Sequence, residues 1–233
     1  MEPCYNYGPT GKSKMTAHHP KKSLYTTILA LASPLLFACQ FLAVFQSSAS
    51  GNVLFQDDFS QANSGWSQAQ LTQGSTGYSE GGYKIYVNEP HTEIWGYPGL
   101  HFKDTRIEVE AAKASGLNDN IFGVICRYQD GKGFYAFLIS SDGYYGIARY
   151  QDGRFDMLGA RAMPPTEKIR QGNASNHLRA DCVGTRLALY VNGEMLIEQE
   201  DKALSSGDVG LIAGALDTPG AEILYDNFTA LVP

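Results

Sequence analysis

Clustered basic residues and helical periodicity are almost absent from this sequence beyond residue 50. Four of its 18 Lys and Arg residues and one of its 24 Asp and Glu residues come earlier, so the later part carries 14 − 23 = −9 formal charges. Nucleic-acid-binding domains concentrate Lys and Arg to neutralise phosphates. The acidic balance therefore argues against a nucleic-acid partner, and the missing 3.6-residue period argues against a helical bundle.

Charge is also missing from residues 23–56. The apolar part of this stretch, Leu24–Phe45, is long enough to cross a hydrocarbon layer of ~30 Å as a helix. Lysines precede it and acidic residues follow it, which predicts a cytoplasmic N-terminus and an exported remainder. The predicted organisation is a basic N-terminus (1–23), a hydrophobic targeting helix (24–45) and one exported domain (52–233).

Three forms of export fit this segment. An uncleaved signal anchor, in spite of Pro34, would tether the domain to the membrane. Cleavage at the small residues Ser48–Ser50 would release it as a secreted protein. A lipobox-like Leu36–Cys39 would lipidate the cysteine, although its phenylalanine fits that motif poorly. Met15 is an alternative start. All three place the domain outside the cytoplasm, either membrane-anchored or secreted.

Cysteine is scarce, and two of the four residues precede the exported domain. The other two, Cys126 and Cys182, lie in strand-like runs, FGVICRY and LRADCV. Two thiols in an exported domain favour a disulfide. A metal site would need more ligands than two distant cysteines provide.

What the exported part does contain is alternation. In Thr105–Ala112, Ile107 and Val109 fall on one face of a strand, and Glu108 and Glu110 fall on the other. Further short runs rich in branched and aromatic residues follow, many separated by Asp-Gly or Asn-Gly pairs that suit tight hairpins. The pattern predicts an all-β, antiparallel jelly-roll β-sandwich preceded by the N-terminal hydrophobic helix. Residues 164–176 form its one longer loop.

The pentapeptide RYQDG occurs twice, at Arg127–Gly131 and Arg149–Gly153. The residues between the copies read as a strand, an SSDG turn and a returning strand. The two copies are therefore predicted to be alternate turns of one antiparallel meander, at the same end of the sheet. They lack the acidic pattern of a calcium-binding EF-hand loop, and no third copy indicates a solenoid or propeller.

The order of several motifs resembles the concanavalin A-like lectin/glucanase superfamily, in particular bacterial exported modules related to the 3-keto-disaccharide hydrolase domain. The matching stretches are DDFS, GVICRYQDGKGFYAFLISSDGYYGI, LRADCVGTRLALYVNG, GDVGLIAG and YDNF. The resemblance implies a sandwich that binds sugars on an open face. It also implies a structural Ca²⁺ where the first and last strands meet, with Asp58 and Asp226 as ligands. Simple hydrogen bonding of these aspartates to loop amides is the alternative.

Laminarinase-type glucanases of that superfamily carry Glu-x-Asp-x-x-Glu, which is absent here. Glu108 and Glu110 would lie about 7 Å apart along a strand. The two carboxylates of a retaining glycosidase are only ~5–5.5 Å apart. We therefore assign no catalytic residue.

Sugar sites combine aromatic platforms with a few polar side chains. We expect Arg127 to point outward, opposite Cys126, onto the surface that carries the two glutamates. Ordinary packing of the tyrosines and a solvated face for the glutamates are the alternatives. The candidate ligand-binding residues are Trp95, Glu108, Glu110, Arg127, Tyr144 and Arg149.

Three functions are compatible with these observations. The first is a membrane-tethered module that binds a glycan or another small polar ligand. The second is a glycoside hydrolase acting on a 3-keto-disaccharide-like or other glycan, for which an acid/base pair is missing. The third is a structural or protein-interaction domain at the cell surface.

Overall fold

The computed structural model of this protein describes residues 52–233. The predicted basic N-terminus, the predicted targeting helix and all three export alternatives lie outside the described residues. Every named element of residues 52–233 is a β-strand. No helix within this range is long and apolar enough to cross a membrane.

Fifteen strands build the described part of the chain. They are β1 (Val53–Asp57), β2 (Ala69–Leu71), β3 (Gly74–Ser79), β4 (Gly82–Val87), β5 (Thr92–Gly96), β6 (Thr105–Ser115), β7 (Asn120–Gln129), β8 (Gly133–Ile139), β9 (Tyr145–Gln151), β10 (Arg154–Met157), β11 (Asn176–Val183), β12 (Arg186–Val191), β13 (Glu194–Glu200), β14 (Asp208–Ala215) and β15 (Ala221–Leu231).

The strands form two antiparallel sheets that share one core. The nine-stranded sheet has the order β13-β12-β11-β6-β15-β4-β3-β2, and β1 pairs with the C-terminal half of β15. The six-stranded sheet has the order β10-β9-β8-β7-β14-β5. Alternate residues of both sheets point into the shared core, as in a β-sandwich. The prediction of an all-β antiparallel sandwich is confirmed.

The predicted disulfide between Cys126 and Cys182 is present and joins the two sheets. Cys126 lies on β7 and Cys182 on β11, with Cα atoms 6.8 Å apart and both side chains buried. The bond closes a loop with a sequence separation of 56 residues. In the loop-entropy model a closure of this length stabilises the fold by about 4 kcal/mol.

The two RYQDG copies form alternate turns of one antiparallel meander, as predicted. Strands β7, β8, β9 and β10 pair in sequence as one meander. The first Asp-Gly pair connects β7 to β8, and the second connects β9 to β10. Gly131 and Gly153 have φ values of 69° and 77°, which only glycine adopts without strain. Both turns therefore lie at one end of the six-stranded sheet.

A β-bulge in the first copy changes the direction of its arginine. On β7, three positions separate Cys126 from Gln129, while two separate their partners on β8. The pairing of β7 with β14 shifts at the same place. Arg127 has a φ of 55°, so it occupies the extra position in a left-handed conformation.

Candidate functional site on the outer face of the six-stranded sheet

The outer face of the six-stranded sheet is unusually apolar. On β8, Tyr135 and Phe137 point into the core, whereas Phe134, Ala136 and Leu138 point outward. The outward side chains form a second hydrophobic cluster that is separate from the sandwich core. Its buried members are Ile121, Ile125, Phe134, Ala136, Leu138, Ala148 and Ile212.

Larger side chains from the strands of this sheet and from two of its connections cover the second cluster. They are Trp95, Tyr128, Tyr150, Phe155, Met157, Met163 and Leu216, all only partly buried. In a two-layer sandwich an antiparallel sheet ordinarily turns a polar face to water. A contiguous, partly exposed apolar face is instead typical of a binding surface.

An aromatic groove of about 280 Å³ lies at the end of this face where the two RYQDG turns meet. Phe134 stacks on Tyr150 with ring centroids 4.9 Å apart, and Trp95 lies 5.5 Å from Tyr150. Tyr128 is 4.6 Å from Tyr97, and burial raises the pKa of Tyr128 to about 12. The tyrosine of each copy of the repeat therefore contributes to the groove.

A larger cleft of about 440 Å³ lies at the opposite end of the same face. Its apolar floor and walls are Ile121, Leu138, Ala148, Phe155, Met157, Met163 and Leu216. Its polar rim is Glu93, Asp119, Ser140, Asp142 and Tyr144. This volume is within the ~300–1,000 Å³ range of small-ligand sites. The combination of an apolar floor with a few polar groups is also typical of such sites.

One wall of the cleft comes from the long loop between β10 and β11. The Tyr145 amide donates to the Pro164 carbonyl at 3.1 Å, and the Thr166 amide donates to the Gly143 carbonyl at 2.8 Å. These bonds fix the loop against the β8–β9 turn, so that Met163 reaches the cleft. Met163 immediately precedes the predicted loop of residues 164–176, and the first residues of that loop hold it in place.

Glycine at position 214 lets Glu93 lie against the sheet. A Cβ atom built on Gly214 would be 2.8 Å from Ile121 Cγ1 and 3.0 Å from Glu93 Cγ, so these side chains would have to move to make room for it. Glu93 is half-buried, and this burial raises the pKa of its carboxyl above the usual value. The cleft therefore holds a desolvated carboxyl group beside an apolar floor.

The structure brings only two of the six predicted ligand-binding residues to this face. Trp95 lines the aromatic groove, and Tyr144, which is 40% exposed, lines the cleft. Groove and cleft lie on one face of one sheet, so both residues stay candidates for ligand contact.

Glu108 and Glu110 lie elsewhere, on the outer face of the nine-stranded sheet. As predicted, Ile107, which precedes Glu108, and Val109, which separates the two glutamates, are buried in the core. Glu108 Oε2 is 3.6 Å from His177 Nε2, and Glu110 accepts a hydrogen bond from Ser175 Oγ at 2.8 Å. The two glutamates therefore share a face, but not the face of Trp95 and Tyr144.

The expectation that Arg127 is exposed beside these glutamates is wrong. Its side chain is 2% exposed and donates to the Leu204 carbonyl at 2.8 Å, to the Lys103 carbonyl and to Asp104. The bulge removed the alternation on which the expectation rested. Arg127 holds two loops at one end of the sandwich.

Arg149, in the second copy, also holds the connection between β13 and β14. It donates to Asp201 at 2.9 Å and lies 3.6 Å from Asp156. Asp201 also accepts from the Tyr135 hydroxyl at 2.5 Å. Both arginines of the repeat thus stabilise the connection formed by residues 201–207, and neither lines the cleft or the groove.

The predicted calcium ligands lie near the meeting point of β1 and β15 but are engaged locally. Asp58 accepts bonds from the Ser60 amide and hydroxyl, and Asp226 accepts from the Asn227 amide. Within residues 52–233, no three His, Cys, Asp or Glu side chains converge as a metal site. Both aspartates thus accept hydrogen bonds from nearby backbone amides, and calcium stays a prediction carried by the resemblance.

Sequence reasoning missed most of the residues that line the cleft and the groove. The signal was present in FGVIC, GFYAFLI and DVGLIAG, whose apolar residues are continuous rather than alternating. Continuous runs indicate strands covered on both faces. In a two-layer sandwich each sheet has only its inner face covered by the other sheet. The same runs therefore also indicate that the outer face of this sheet is apolar.

No protein-family model matches this chain, and no curated protein is significantly similar to it in sequence. Solved structures, in contrast, match over most of its length. The carbohydrate-binding module CBM66 from Bacillus subtilis has a TM-score of 0.51 and 19% identity, and the match covers 72% of this chain and 96% of the module.

Two further structures agree. A Bacillus subtilis protein of unknown function with a galectin-like fold has a TM-score of 0.57 and 11% identity, with 78% of this chain and 96% of that chain covered. The Bacillus licheniformis β-glucanase has a TM-score of 0.56 and 12% identity, with 78% and 99% covered. At these identities the likeness shows the fold alone, a β-sandwich, which in the second of these structures is described as galectin-like.

Proposed function

We propose that this protein is an exported glycan-binding module whose ligand lies on the outer face of the six-stranded sheet. The observation that carries the proposal is the partly exposed apolar face with an aromatic groove at one end and a rimmed cleft at the other. Aromatic and apolar side chains suit the C–H faces of sugar rings, and the rim oxygens suit their hydroxyl groups. Tethering by the N-terminal segment remains part of the proposal.

Two further observations support it. The Cys126–Cys182 disulfide fits an oxidising, extracytoplasmic compartment. The fold is also that of a carbohydrate-binding module and of glycoside hydrolases. Fold alone does not assign a function, so the apolar face carries the argument.

A glycan panel incubated with the purified full chain tests the proposal. Tyr144→Ala and Trp95→Ala should each weaken binding more than about fivefold, because a central contact contributes at least ~1 kcal/mol. Tyr190→Ala, which truncates an aromatic residue on the outer face of the nine-stranded sheet, is the matched control and should leave binding unchanged. Binding lost with Tyr190→Ala but retained in the other two would move the site to that sheet.

Hydrolysis is the second candidate, and Glu93 is the observation that favours it. A carboxyl group with a raised pKa in a cleft is suited to act as a general acid. Asp119 and Asp142 line the same cleft. The resemblance to 3-keto-disaccharide hydrolase modules points the same way. Release of reducing ends from a bound glycan that stops in Glu93→Gln would establish this function; binding without release would leave the module non-catalytic.

A further inference from the structure

The rim of the cleft carries charge of one sign only. Its lining contains Glu93, Asp119 and Asp142, and none of the Lys, Arg or His residues of the described chain lines it. His91 is the one charged residue that influences Glu93 within the described residues, and its effect is weaker than that of burial. His91 is itself exposed and lies 3.8 Å from Asp217, outside the cleft lining.

Two of the three carboxylates already have partners within the protein. Asp119 accepts from the Asp217 amide at 3.1 Å, and Asp142 accepts from the Ser140 hydroxyl. Glu93, in contrast, is half-buried, and within residues 52–233 its carboxyl accepts a hydrogen bond from its own backbone amide but from no other side chain. A half-buried carboxylate that has only its own backbone amide as a donor keeps unused acceptor capacity, and a donor supplied by a ligand would satisfy it.

The floor beneath these carboxylates excludes a fully polar ligand. Phe155, Met157 and Met163 are partly buried and face the cleft, and thioethers adapt to irregular apolar surfaces. A ligand that fits both floor and rim needs a flat apolar side and a cationic hydrogen-bond donor. A pyranose with a free, protonated amino group has both.

We propose that the cleft selects amino sugars, with the ammonium group of the ligand paired to Glu93 and its ring lying on the floor formed by Phe155 and Met157. This inference rests on the proposed glycan-binding function and names its ligand class. A negatively charged glycan is disfavoured, because the three rim carboxylates repel it.

Three tetrasaccharides test the selection by calorimetry with the full chain at mildly acidic pH: a glucosamine tetramer, its N-acetylated form and a galacturonate tetramer. The glucosamine tetramer should bind about tenfold more tightly than the N-acetylated form, as expected for one charge-assisted pair. The preference should shrink as salt rises from about 0.01 M to about 1 M, where the Debye length falls from ~30 Å to ~3 Å. The galacturonate tetramer should not bind.

Variants separate this inference from the function on which it rests. Glu93→Gln should abolish the tenfold preference, whereas Glu108→Gln on the other sheet should preserve it. Equal binding of all three sugars, or a preference unchanged in Glu93→Gln, overturns the amino-sugar selection while glycan binding stands. No binding of any glycan, with capture of a lysine-rich peptide instead, overturns both.

Discussion

The outer face of one sheet is charged and the outer face of the other is apolar, although the inner faces of both sheets build one core. On the nine-stranded sheet, Arg106, Glu108 and Arg179 belong to a ladder of charges that pair across strands β6 and β11. On the six-stranded sheet, the outward residues at the centre are buried and apolar. The first face is polar, as is usual for a sheet surface exposed to water, and the second face is not. The difference locates the candidate site.

The charged face is organised around one buried carboxylate. Asp181 is 3% exposed and accepts hydrogen bonds from Arg106 at 3.0 Å and from Arg179 at 2.6 Å, while Arg186 lies 3.6 Å away. Burial alone would raise the pKa of Asp181, but the two arginines outweigh it and the pKa is lowered. The charges around Asp181 thus have their partners within the protein, so little remains there for a ligand.

The largest effect should come from truncating an outward aromatic residue on the apolar face. Phe134 is fully buried beneath Trp95, Tyr150 and Phe155, so Phe134→Ala leaves a cavity and should cost about 3 kcal/mol of unfolding free energy. Tyr190→Ala on the charged face should cost only about 1 kcal/mol, because Tyr190 is half-exposed and mainly stacks on Arg179 at 4.2 Å.

Urea denaturation of both variants measures the comparison directly. Equal losses would mean that the two outer faces are equally buried in solution and that the second hydrophobic cluster is not a distinct structural feature. Phe134→Leu, which retains most of the apolar volume, should recover much of the stability and so separates cavity formation from misfolding.

An intermediate effect is expected at the centre of the charged face. Asp181→Asn removes the carboxylate and leaves Arg106, Arg179 and Arg186 facing one another, which should cost about 2 kcal/mol at neutral pH. Because the folded pKa of Asp181 is lowered, its contribution is present above the usual value of 3.8 and is lost as the pH falls below it.

Denaturation of wild type and Asp181→Asn over a range of acidic pH values checks this sign. The two stability curves should converge as the pH falls through the folded pKa of Asp181. A constant gap at every pH would assign the loss to packing rather than to charge. Glycan binding should be unchanged, since Asp181 lies on the opposite sheet from the cleft.

The alternation on these two faces also shows how far the sequence predicts the fold and the site. Strict alternation placed Ile107 and Val109 in the core correctly, and the Asp-Gly pairs located the turns of the meander. Arg127 was misplaced because a bulge adds one residue to β7, and no residue type near it signals a bulge. Alternation along a strand predicts which face a side chain occupies only while the strand's pairing register has no bulge.

The candidate site was harder to predict because its residues come from distant parts of the chain. Glu93 on β5, Leu138 on β8 and Met163 in the long loop meet only through the strand order β8-β7-β14-β5 and the loop's return onto the β8–β9 turn. Aromatic character alone identifies Trp95 and Tyr144 as candidates, but it does not show that they share a face. The composition of each strand predicts an apolar face, but not which residues line one cleft.

The smallest effect should come from the rim of the charged face, where His177 and Glu108 pair at 3.6 Å. Glu108 raises the pKa of His177, with a further contribution from Glu110 and an opposing one from Arg179. His177 in turn lowers the pKa of Glu108. The His177 contribution is complete below its usual pKa of 6.5 and is lost as the pH rises, and the Glu108 contribution is lost as the pH falls below 4.5. The pair should therefore stabilise the fold most between these two values.

Because the side chains of His177 and Glu108 are 39% and 27% exposed, His177→Gln should cost no more than ~1 kcal/mol of unfolding free energy. The measurement is the stability difference between wild type and His177→Gln at mildly acidic and at alkaline pH. A stability difference that persists at alkaline pH would indicate that the imidazole of His177 contributes by packing. The stability of the charged face would then depend less on ion pairs than the comparison of the two sheets implies.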